Sequence, residues 1–342
     1  MNYNLKGMTL VELQDFVINN QHPKYRAKQI YHWMYKKSVT QFSEMSNLPL
    51  DLQLFLADKC TLTTLELYNK QETNNTIKFI FKTNTNDYIE SVSMIQRDRH
   101  TICISSQVGC SVDCDFCATG KMGFKKNLTT GEIIDQLLLI QNYVKTPITN
   151  IVFMGMGEPF LNYNNVIAAA NLMNDNEGLN FSYHRITIST SGIVNKINQF
   201  IEDKIKYKLA ISLNASNDQT REKLMPINKK WPIKTLLQCA AQYNKLHKTG
   251  LTFEYVLIDS INDSEQDAKK LGVLLKNSGC KLNIIPFNEI GNIYNRPSIE
   301  KIERFLNFLY KNQKGFTVLV RWSKGTKINA GCGQLATEII NE

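Results

Sequence analysis

Residues 107–120 read QVGCSVDCDFCATG and place three cysteines, Cys110, Cys114 and Cys117, in the spacing C-x₃-C-x₂-C. A structural zinc site needs four ligands and usually takes them from two paired motifs. No second pair lies nearby in the sequence, and the closest histidines are isolated. Three thiolates can instead hold a cubane [4Fe–4S] cluster and leave one iron without a protein ligand. We therefore predict a cluster whose open iron binds a small molecule; a zinc site and three unrelated buried cysteines are the alternatives.

Strands and helices alternate from this motif to the end of the chain. A helix is predicted to begin after Thr129, because Glu132 completes a capping box with it. Short apolar or β-branched runs predict strands at residues 101–106, 150–155, 185–190, 207–214, 251–258, 281–286 and 316–321. Repeated β-α units favour a parallel sheet, and this many in succession predict a full or partial barrel. In such barrels the reactive groups follow the carboxyl ends of the strands, where the cysteine motif falls.

The first hundred residues have a different character. Thr9 and Glu12 form a capping box in front of a helical pattern, and residues 25–37 and 48–59 continue as helices. Residues 61–95 then alternate as strands between turns rich in Asn and Thr. The sequence thus predicts a helical domain over 1–60, a β extension or linker over 61–95 and the main domain over 96–342.

The overall composition indicates a cytoplasmic enzyme that binds a polyanion. The chain has 342 residues, 43% of them hydrophobic, and a formal net charge of +9. Such a basic protein typically contacts nucleic acid, although solubility alone is the alternative. No run of apolar residues is long enough to span a membrane, and the start of the chain lacks the apolar core of a signal peptide. Clustered cysteines in such a chain favour metal binding or catalysis over disulfides.

Residues 22–37 interleave cations with aromatic residues. Cations neutralise phosphates and aromatic rings stack on unpaired bases, so this segment is a candidate RNA contact. The alternative is a helix with its aromatic residues in the core and its lysines in solvent. The residues concerned are Lys24, Arg26, Lys28, Lys36 and Lys37, with Tyr25, Tyr31, Trp33 and Tyr35. FKKN (124–127) and RWSKGTK (321–327) add positive charge near the expected mouth of the site.

The cysteine motif after a strand, together with FMGMGEPFLN at 153–162, resembles the radical S-adenosylmethionine (SAM) enzymes. That resemblance implies a partial (β/α)6-type, TIM-like radical SAM barrel. It also implies one [4Fe–4S] cluster whose open iron binds SAM, and cleavage of SAM to a 5′-deoxyadenosyl radical. Glycines in the second motif would let the backbone approach the methionine moiety of SAM.

The stretches CISSQVGCSVDCDFCATG, GMGEPFLN, ITISTSG, LMPIN and INAGCGQLA, in this order, resemble the RlmN/Cfr family of radical SAM RNA methyltransferases over nearly the whole chain. Pro159 and the following FLN resemble the RlmN branch. That branch methylates carbon 2 of an adenine in 23S rRNA and, in some members, of a tRNA adenine. The alternative is a Cfr-like enzyme that methylates carbon 8. The resemblance implies an RNA-binding role for the helical domain and an electron donor such as flavodoxin or ferredoxin.

Carbon 2 of adenine is electron-poor and does not attack the methyl group of SAM, so a carrier is needed. The resemblance makes Cys332, between two glycines, the carrier, which is methylated by a first SAM. A radical from a second SAM then converts the S-methyl group to a methylene radical that adds to carbon 2. Glu90 is implied to remove the carbon-2 proton. Cys103 is implied to release the RNA by attacking the Cys332 sulfur, which leaves a transient disulfide.

Matching positions also imply the SAM contacts, which are Gly157, Glu158, Ser189, Ser212, Leu213, Asn214 and Asn288. Family members often carry histidine at the position of Asn214, but asparagine can still donate a hydrogen bond. The other cysteines, Cys60, Cys239 and Cys280, are expected to be structural. Two further hypotheses remain: a radical SAM enzyme with another substrate, and a non-catalytic RNA-binding protein with zinc or a cluster. A carrier cysteine paired with a second thiol favours the methyltransferase over both.

Overall fold

A computed structural model of the chain describes residues 3–247, 250–291 and 294–337. Its α-helices are α1 (Leu10–Asn19), α2 (Arg26–Tyr35), α3 (Leu50–Lys59), α4 (Ala118–Lys121), α5 (Thr130–Tyr143), α6 (Tyr163–Asn174), α7 (Val194–Glu202), α8 (Asp218–Leu224), α9 (Ile233–Leu246), α10 (Glu265–Leu274) and α11 (Ile299–Asn312). The strands are β1 (Tyr3–Asn4), β2 (Cys60–Thr61), β3 (Leu65–Thr73), β4 (Thr76–Thr83), β5 (Tyr88–Gln96), β6 (Arg99–Cys103), β7 (Gln107–Gly109), β8 (Phe124–Asn127), β9 (Asn150–Phe153), β10 (Ile186–Thr190), β11 (Lys208–Ser212), β12 (Leu251–Leu257), β13 (Lys281–Pro286) and β14 (Thr317–Val320).

One ten-stranded sheet dominates the structure, in the order β14-β13-β12-β11-β10-β9-β6-β5-β4-β3. From β6 through β14 every neighbouring pair is parallel, and helices connect these strands. The pairs β3–β4, β4–β5 and β5–β6 are antiparallel. Within the described residues, β14 and β3 are the two edges. This topology is the expected partial barrel, and the strands between residues 65 and 96 extend its sheet directly.

The sheet curls strongly toward one face. β14 and β9 are separated by four strands, so in a flat sheet they would lie roughly 24 Å apart. Instead, Arg321, directly after β14, places its Nη1 3.7 Å from the sulfur of Met154, directly after β9. Even a long arginine side chain cannot span a flat sheet of this width. The contact therefore identifies the concave face, which we call the inner face.

Alternate residues of the parallel strands point to opposite faces of the sheet, and the two faces differ in polarity and burial. On the outer face Ile188, Ile211 and Phe253 are buried beneath the helices, as are their neighbours along each strand. On the inner face the corresponding residues are mostly polar and half-buried, among them Ser189 and Ser212. Half-exposed polar residues on a concave face mean that the inside of the barrel is a space accessible to water rather than a packed core.

The helical N-terminal domain packs against the outer side of α5 and α6. The Tyr31 hydroxyl donates to Asp175, 2.6 Å away, and a buried ion pair joins Lys6 to Asp135 at 3.5 Å. β1 and β2 pair in parallel and bring the two ends of this domain together. Two-residue strands were not predicted, because segments this short carry no periodic signal.

Local sequence signals account for the main helix boundaries. Thr9 and Thr129 cap α1 and α5 through the predicted capping boxes with Glu12 and Glu132. The structure adds a further box at α10, between Ser264 and Asp267. None of the helices in the described parts of the chain combines the length and apolar character needed to span a bilayer.

Candidate active site

The cysteine motif forms a loop at the carboxyl edge of the sheet, between β7 and α4. The backbone N–H of Cys110 donates to Gly123 O at 3.0 Å, and that of Asp115 donates to Leu224 O at 2.9 Å. The Asp115 carboxylate also accepts from Tyr294, 2.6 Å away. These contacts fix the loop against α8 and against the loop after β13. The short pair β7–β8 that supports it was not predicted from the sequence.

Cys110, Cys114 and Cys117 lie close enough on this loop to influence the ionisation of Cys110 and Cys114. Burial raises the pKa of Cys110 to about 12 and raises the pKa of Cys114 well above its usual value. The nearby groups Cys117 and Glu158 raise both pKa values further. All three residues are nevertheless partly exposed, so their side chains border a space that solvent can reach, which we call the recess. Thiols in such a place stay protonated until a cation stabilises the thiolate.

The donor set fits an iron–sulfur cluster better than a single ion. Three thiols on one short loop are the ligands that iron–sulfur clusters take. Across residues 3–247, 250–291 and 294–337, no three His, Cys, Asp or Glu side chains converge on one metal position. A cubane spreads its ligands over several metal atoms, so it does not require such convergence.

The GMGEP loop after β9 lies beside this recess. Gly157 has a φ of +96°, and a Cβ there would lie 2.5 Å from the Cβ of Gln107, so this position requires glycine. Glu158 is 4% exposed; its carboxylate accepts from the backbone N–H of Phe160 at 3.0 Å and of Ser191 at 2.6 Å. Burial raises the pKa of Glu158 despite these bonds. The carboxylate is thus held rigidly at the edge of the sheet.

The next predicted SAM contacts lie at the carboxyl ends of β10 and β11. Ser189 is near the end of β10, Ser212 ends β11, and Leu213 and Asn214 follow it. The Ser189 hydroxyl donates to Phe153 O at 2.6 Å. Ser212 is half-buried on the inner face, whereas the Leu213 side chain is fully buried. Asn214 has a φ of +55°, and its side chain accepts from Val256 N at 2.8 Å and points its amide nitrogen at the Met225 sulfur, 3.2 Å away. Asn214, which stands where family members often carry histidine, therefore links the end of β11 to β12 and to Met225.

A buried arginine that the sequence analysis did not single out fastens these strand ends. Arg221 in α8 is 0% exposed. It donates to the backbone carbonyls of Ser191 at 2.7 Å, of Ser212 at 3.0 Å and of Leu213 at 3.1 Å. Its bonds cross from the loop after β10 to the loop after β11, and such neighbours across strands are not visible along the sequence.

The C-terminal loop carries Cys332 back to the cysteine motif. Ala118 N donates to Gly333 O at 2.8 Å, so the loop is hydrogen-bonded to the residue after Cys117. Asn288 donates to Cys332 O at 2.9 Å, while its own Oδ1 is buried and has no hydrogen-bond partner among the described residues. The loop is therefore held at Cys332 itself and at the residue that follows it.

Cys103 and Cys332 share one electrostatic environment. Burial raises the pKa of Cys103 to about 12, and Cys332 raises it further, whereas Arg321 opposes the rise. Cys332 is exposed at the surface of the recess, yet enough protein surrounds it to raise its pKa to about 11. Arg321 and Glu254 are the charges that act on it most strongly. The two thiols therefore face the same space.

Glu90 lies on the same inner face. Val92 is directly opposite Cys103 in the register of β5 and β6, and Glu90 is the next residue on that face. Glu90 is 1% exposed, so it is not the solvent-facing residue that strand alternation alone would suggest. Its carboxylate forms an ion pair with Lys78 at 3.3 Å, a partner that the sequence analysis missed.

The aromatic residues of the basic N-terminal segment divide between surface and core. Tyr25 is exposed, with the Arg26 guanidinium 4.7 Å from its ring, whereas Tyr31 and Tyr35 are buried. For these two the alternative of a core role is correct, and they cannot stack on RNA. In β8, Lys125 and Lys126 form ion pairs with acidic residues, which reduces the charge expected there. Within residues 22–37 the exposed lysines are Lys24, Lys28, Lys36 and Lys37.

Comparison with known proteins now identifies the family. The model of the ribosomal RNA large subunit methyltransferase N-terminal domain matches residues 3–62, and that of the radical SAM superfamily matches residues 104–271. The dual-specificity RNA methyltransferase RlmN of Geobacter sulfurreducens is 41% identical over 333 residues, which cover 97% of this chain and 91% of that one. This chain belongs to the RlmN family of radical SAM methyltransferases.

Other RlmN relatives and a solved structure agree. The probable dual-specificity RNA methyltransferase RlmN of Cytophaga hutchinsonii is 40% identical over 338 residues, covering 97% of this chain and 92% of that one. The crystal structure of a radical SAM methyltransferase from Sphaerobacter thermophilus matches with a TM-score of 0.93 at 41% identity, covering 97% and 99% of the two chains. Membership of the RlmN family implies a [4Fe–4S] cluster and SAM as cofactors.

Proposed function

We propose that this protein methylates carbon 2 of an adenine in 23S rRNA, with tRNA as a second candidate substrate. The observation that carries the proposal is that Cys103 and Glu90 share the inner face of the sheet, and that Cys332 lies close enough to Cys103 to raise its pKa. Relatives named dual-specificity RNA methyltransferases support an RNA substrate. Most radical reactions need no carrier thiol, so this arrangement favours methyl transfer.

Cys110, Cys114 and Cys117 would hold one [4Fe–4S] cluster. Gly157, Glu158, Ser189, Ser212, Leu213, Asn214 and Asn288 would surround SAM. The buried Oδ1 of Asn288 has no hydrogen-bond partner in the part of the chain that the structure describes, which supports that assignment, since a bound donor would satisfy it. Together the bound cluster and two SAM molecules per turnover would supply a methyl group and a 5′-deoxyadenosyl radical.

Cys332 would act as the methyl carrier. Its sulfur would lose a proton and take up the methyl group of a first SAM. That methyl group would then give one hydrogen atom to the 5′-deoxyadenosyl radical derived from a second SAM and become a methylene radical. Adding this carbon to carbon 2 of adenine joins the RNA to the protein through the Cys332 sulfur. The exposed position of the thiol in the recess allows the base to reach it.

Glu90 and Cys103 would complete the reaction. Glu90 takes the carbon-2 proton as a general base. Cys103 then attacks the Cys332 sulfur, the sulfur–carbon bond breaks, and the carbon takes up a proton to become the new methyl group. The two sulfurs are left as a disulfide that holds the unpaired electron until reduction restores both thiols.

The partners and the domain arrangement follow from this function. RNA would contact the exposed lysines of the helical domain over 1–60, which is joined through a β extension over 61–95 to the catalytic domain over 96–342. An electron donor such as flavodoxin or ferredoxin would reduce the cluster. Methylation of carbon 8, as by Cfr-like enzymes, is the alternative that the same residues could support.

Mass spectrometry of nucleosides from 23S rRNA and tRNA tests the proposal. Cells that carry the gene should contain 2-methyladenosine, and cells without it should lack the modification at the same position. Expressing the chain again should restore it, whereas the Cys332→Ala variant should not. Finding 8-methyladenosine instead would establish the Cfr-like alternative, and unchanged RNA would refute both.

A further inference from the structure

We propose that Lys78 is a positioning residue for Glu90: its buried ammonium group keeps the carboxylate ionised and aimed into the recess, ready to take the carbon-2 proton. This inference rests on the proposed function, because Lys78 gains this role only if Glu90 is the base. Nothing in the sequence motifs marks Lys78, which stands in the apolar stretch TIKFIFK.

The ion pair is fixed by the sheet rather than by flexible side chains. Lys78 lies in β4 and Glu90 in β5, and these strands pair in antiparallel register. Lys78 is opposite Val92 and Glu90 is opposite Ile80, so the two charged residues are diagonal neighbours on one face. Lys78 Nζ lies 3.3 Å from Glu90 Oε1, and the two side chains are 6% and 1% exposed. The register of the two strands therefore brings the ammonium group within reach of the carboxylate.

Burial makes the cation necessary for a base at this position. A carboxylate removed from water favours its protonated form, because the charged form loses its hydration. A protonated carboxyl group cannot accept the carbon-2 proton. A cation at close range reverses this preference, and the ammonium group of Lys78 provides it. Since either charge would be costly to bury alone, the pair has to be retained as a unit.

The pair is also tied to the elements that carry the active site. The backbone N–H of Glu90 donates to the Met156 sulfur at 3.2 Å, and Ser105 donates to Glu90 O at 2.5 Å. Met156 belongs to the GMGEP loop, and Ser105 lies between Cys103 and the cysteine motif. Glu90 is thus held against both motifs, and Lys78 acts on it from the opposite strand.

The proton transfer balances without any further group. The carbon-2–hydrogen bond of the adduct breaks, its electron pair stays with the ring, and the proton passes to a Glu90 oxygen. Lys78 neither gives nor takes a proton in this step. Its effect is confined to the charge and orientation of Glu90, so it should change this step and leave earlier steps intact.

The chain offers a matched control in a second buried lysine. Lys6 pairs with Asp135 at 3.5 Å, and these side chains are 2% and 1% exposed. This pair joins the N-terminal domain to α5 and contacts no proposed catalytic residue. Lys6→Met therefore removes a comparable buried cation and reports the purely structural cost of doing so.

The test is an anaerobic single-turnover assay with an RNA oligonucleotide that contains the target adenine. Four quantities are measured: S-methylation of Cys332, SAM cleavage, the covalent RNA–protein adduct on a denaturing gel, and methylated RNA. Lys78→Met and Lys78→Gln should methylate Cys332 normally but accumulate adduct, as Glu90→Gln should if Glu90 is the base. Release of methylated RNA should slow at least about tenfold, since a general base contributes about 100-fold or more. KM for RNA should change less than about twofold.

Two further variants separate electrostatics from structure. Lys78→Arg retains the cation and should recover most of the lost rate without adduct. Lys6→Met should lower the melting temperature at least as much as Lys78→Gln, yet release methylated RNA at the wild-type rate. If the loss of Lys78 slowed RNA release only by destabilising the fold, Lys6→Met should slow RNA release as well.

Three outcomes would overturn the inference. If Glu90→Gln accumulates adduct while folded Lys78→Gln turns over normally, the proposed function stands and the role of Lys78 is wrong. If Lys78→Gln raises KM for RNA without adduct, Lys78 contacts RNA instead. If Glu90→Gln itself turns over normally, the assignment of the base fails and the inference fails with it.

Discussion

The release of methylated RNA should depend steeply on pH, because Cys103 is a buried thiol. Burial raises its pKa from 9.0 to about 12. At pH 7.5 an ordinary thiol is about 3% thiolate, whereas one with a pKa of 12 is about 0.003% thiolate, a difference of about 1,000-fold. Only the thiolate attacks sulfur effectively. Because the raised pKa lies above the working range, the thiolate fraction rises about tenfold for each pH unit up to about pH 12.

The assay follows decay of the RNA–protein adduct in a single turnover. Cys332 is methylated beforehand, because its own pKa of about 11 would otherwise add a second pH-dependent step. Adduct decay is then measured at pH 7, 8 and 9 by rapid quenching and denaturing gels. We expect its rate constant to rise about 100-fold over this range. Cys103→Ala should form the adduct and keep it, and nuclease should shorten the trapped band.

Cys103→Ser is the matched control, since a hydroxyl group of nearly the same size is a far poorer nucleophile toward sulfur. Cys332→Ala should form no adduct at any pH, because nothing links protein to RNA. The reasoning is refuted if adduct decay is independent of pH, or if Cys103→Ala resolves the adduct at the wild-type rate.

The remaining predictions concern the cofactor sites and the RNA surface. Anaerobically purified protein should be brown. Replacing any one of Cys110, Cys114 and Cys117 by alanine should abolish activity and remove the cluster, as measured by absorbance near 400 nm and by iron and sulfide analysis. A colourless, zinc-loaded and active protein would contradict this. Gly157→Ala should weaken SAM binding in calorimetry and lower the free energy of unfolding by at least about 1 kcal/mol, because its φ of +96° and the 2.5 Å approach to Gln107 both oppose a side chain; unchanged values would show that the loop adapts. Replacing the exposed Lys24, Lys36 and Lys37 together by alanine should weaken RNA binding and leave RNA-independent SAM cleavage intact. The slope of log affinity against log salt concentration should fall by about 2, at about 0.7 per phosphate contact. An unchanged slope would place the RNA elsewhere.

Sequence patterns predicted most of the secondary structure because each signal was local. Thr9 and Thr129 stand three residues before their glutamates, and both helices begin where these capping boxes indicate. The strands of the parallel sheet were recognised from β-branched and apolar runs. In contrast, β1, β2, β7 and β8 have two to four residues each and were missed, since pairing with distant partners defines them.

The composition of the candidate site was predictable only where a motif brings its residues close together along the chain. The cysteine spacing indicated a cluster without knowledge of the fold. Lys78 and Glu90 are twelve positions apart, and Arg221 reaches back across two strand ends, so their partners depend on strand order. Likewise, the amphipathic pattern of α2 could not distinguish Tyr25 on the surface from Tyr31 in the core.

The antiparallel extension β3–β5 changes what the barrel can do. Without it β6 would be an edge strand, and Cys103 would lie at the open margin of the sheet. With it, β5 covers β6, Cys103 is 8% exposed, and Glu90 and Lys78 are carried onto the inner face beside it. The parallel strands provide the sites proposed for the cluster and SAM, but these strands carry neither the proposed base nor its cation. Extending the sheet by antiparallel strands is therefore the structural step that would convert a radical-generating barrel into one that can also remove a proton.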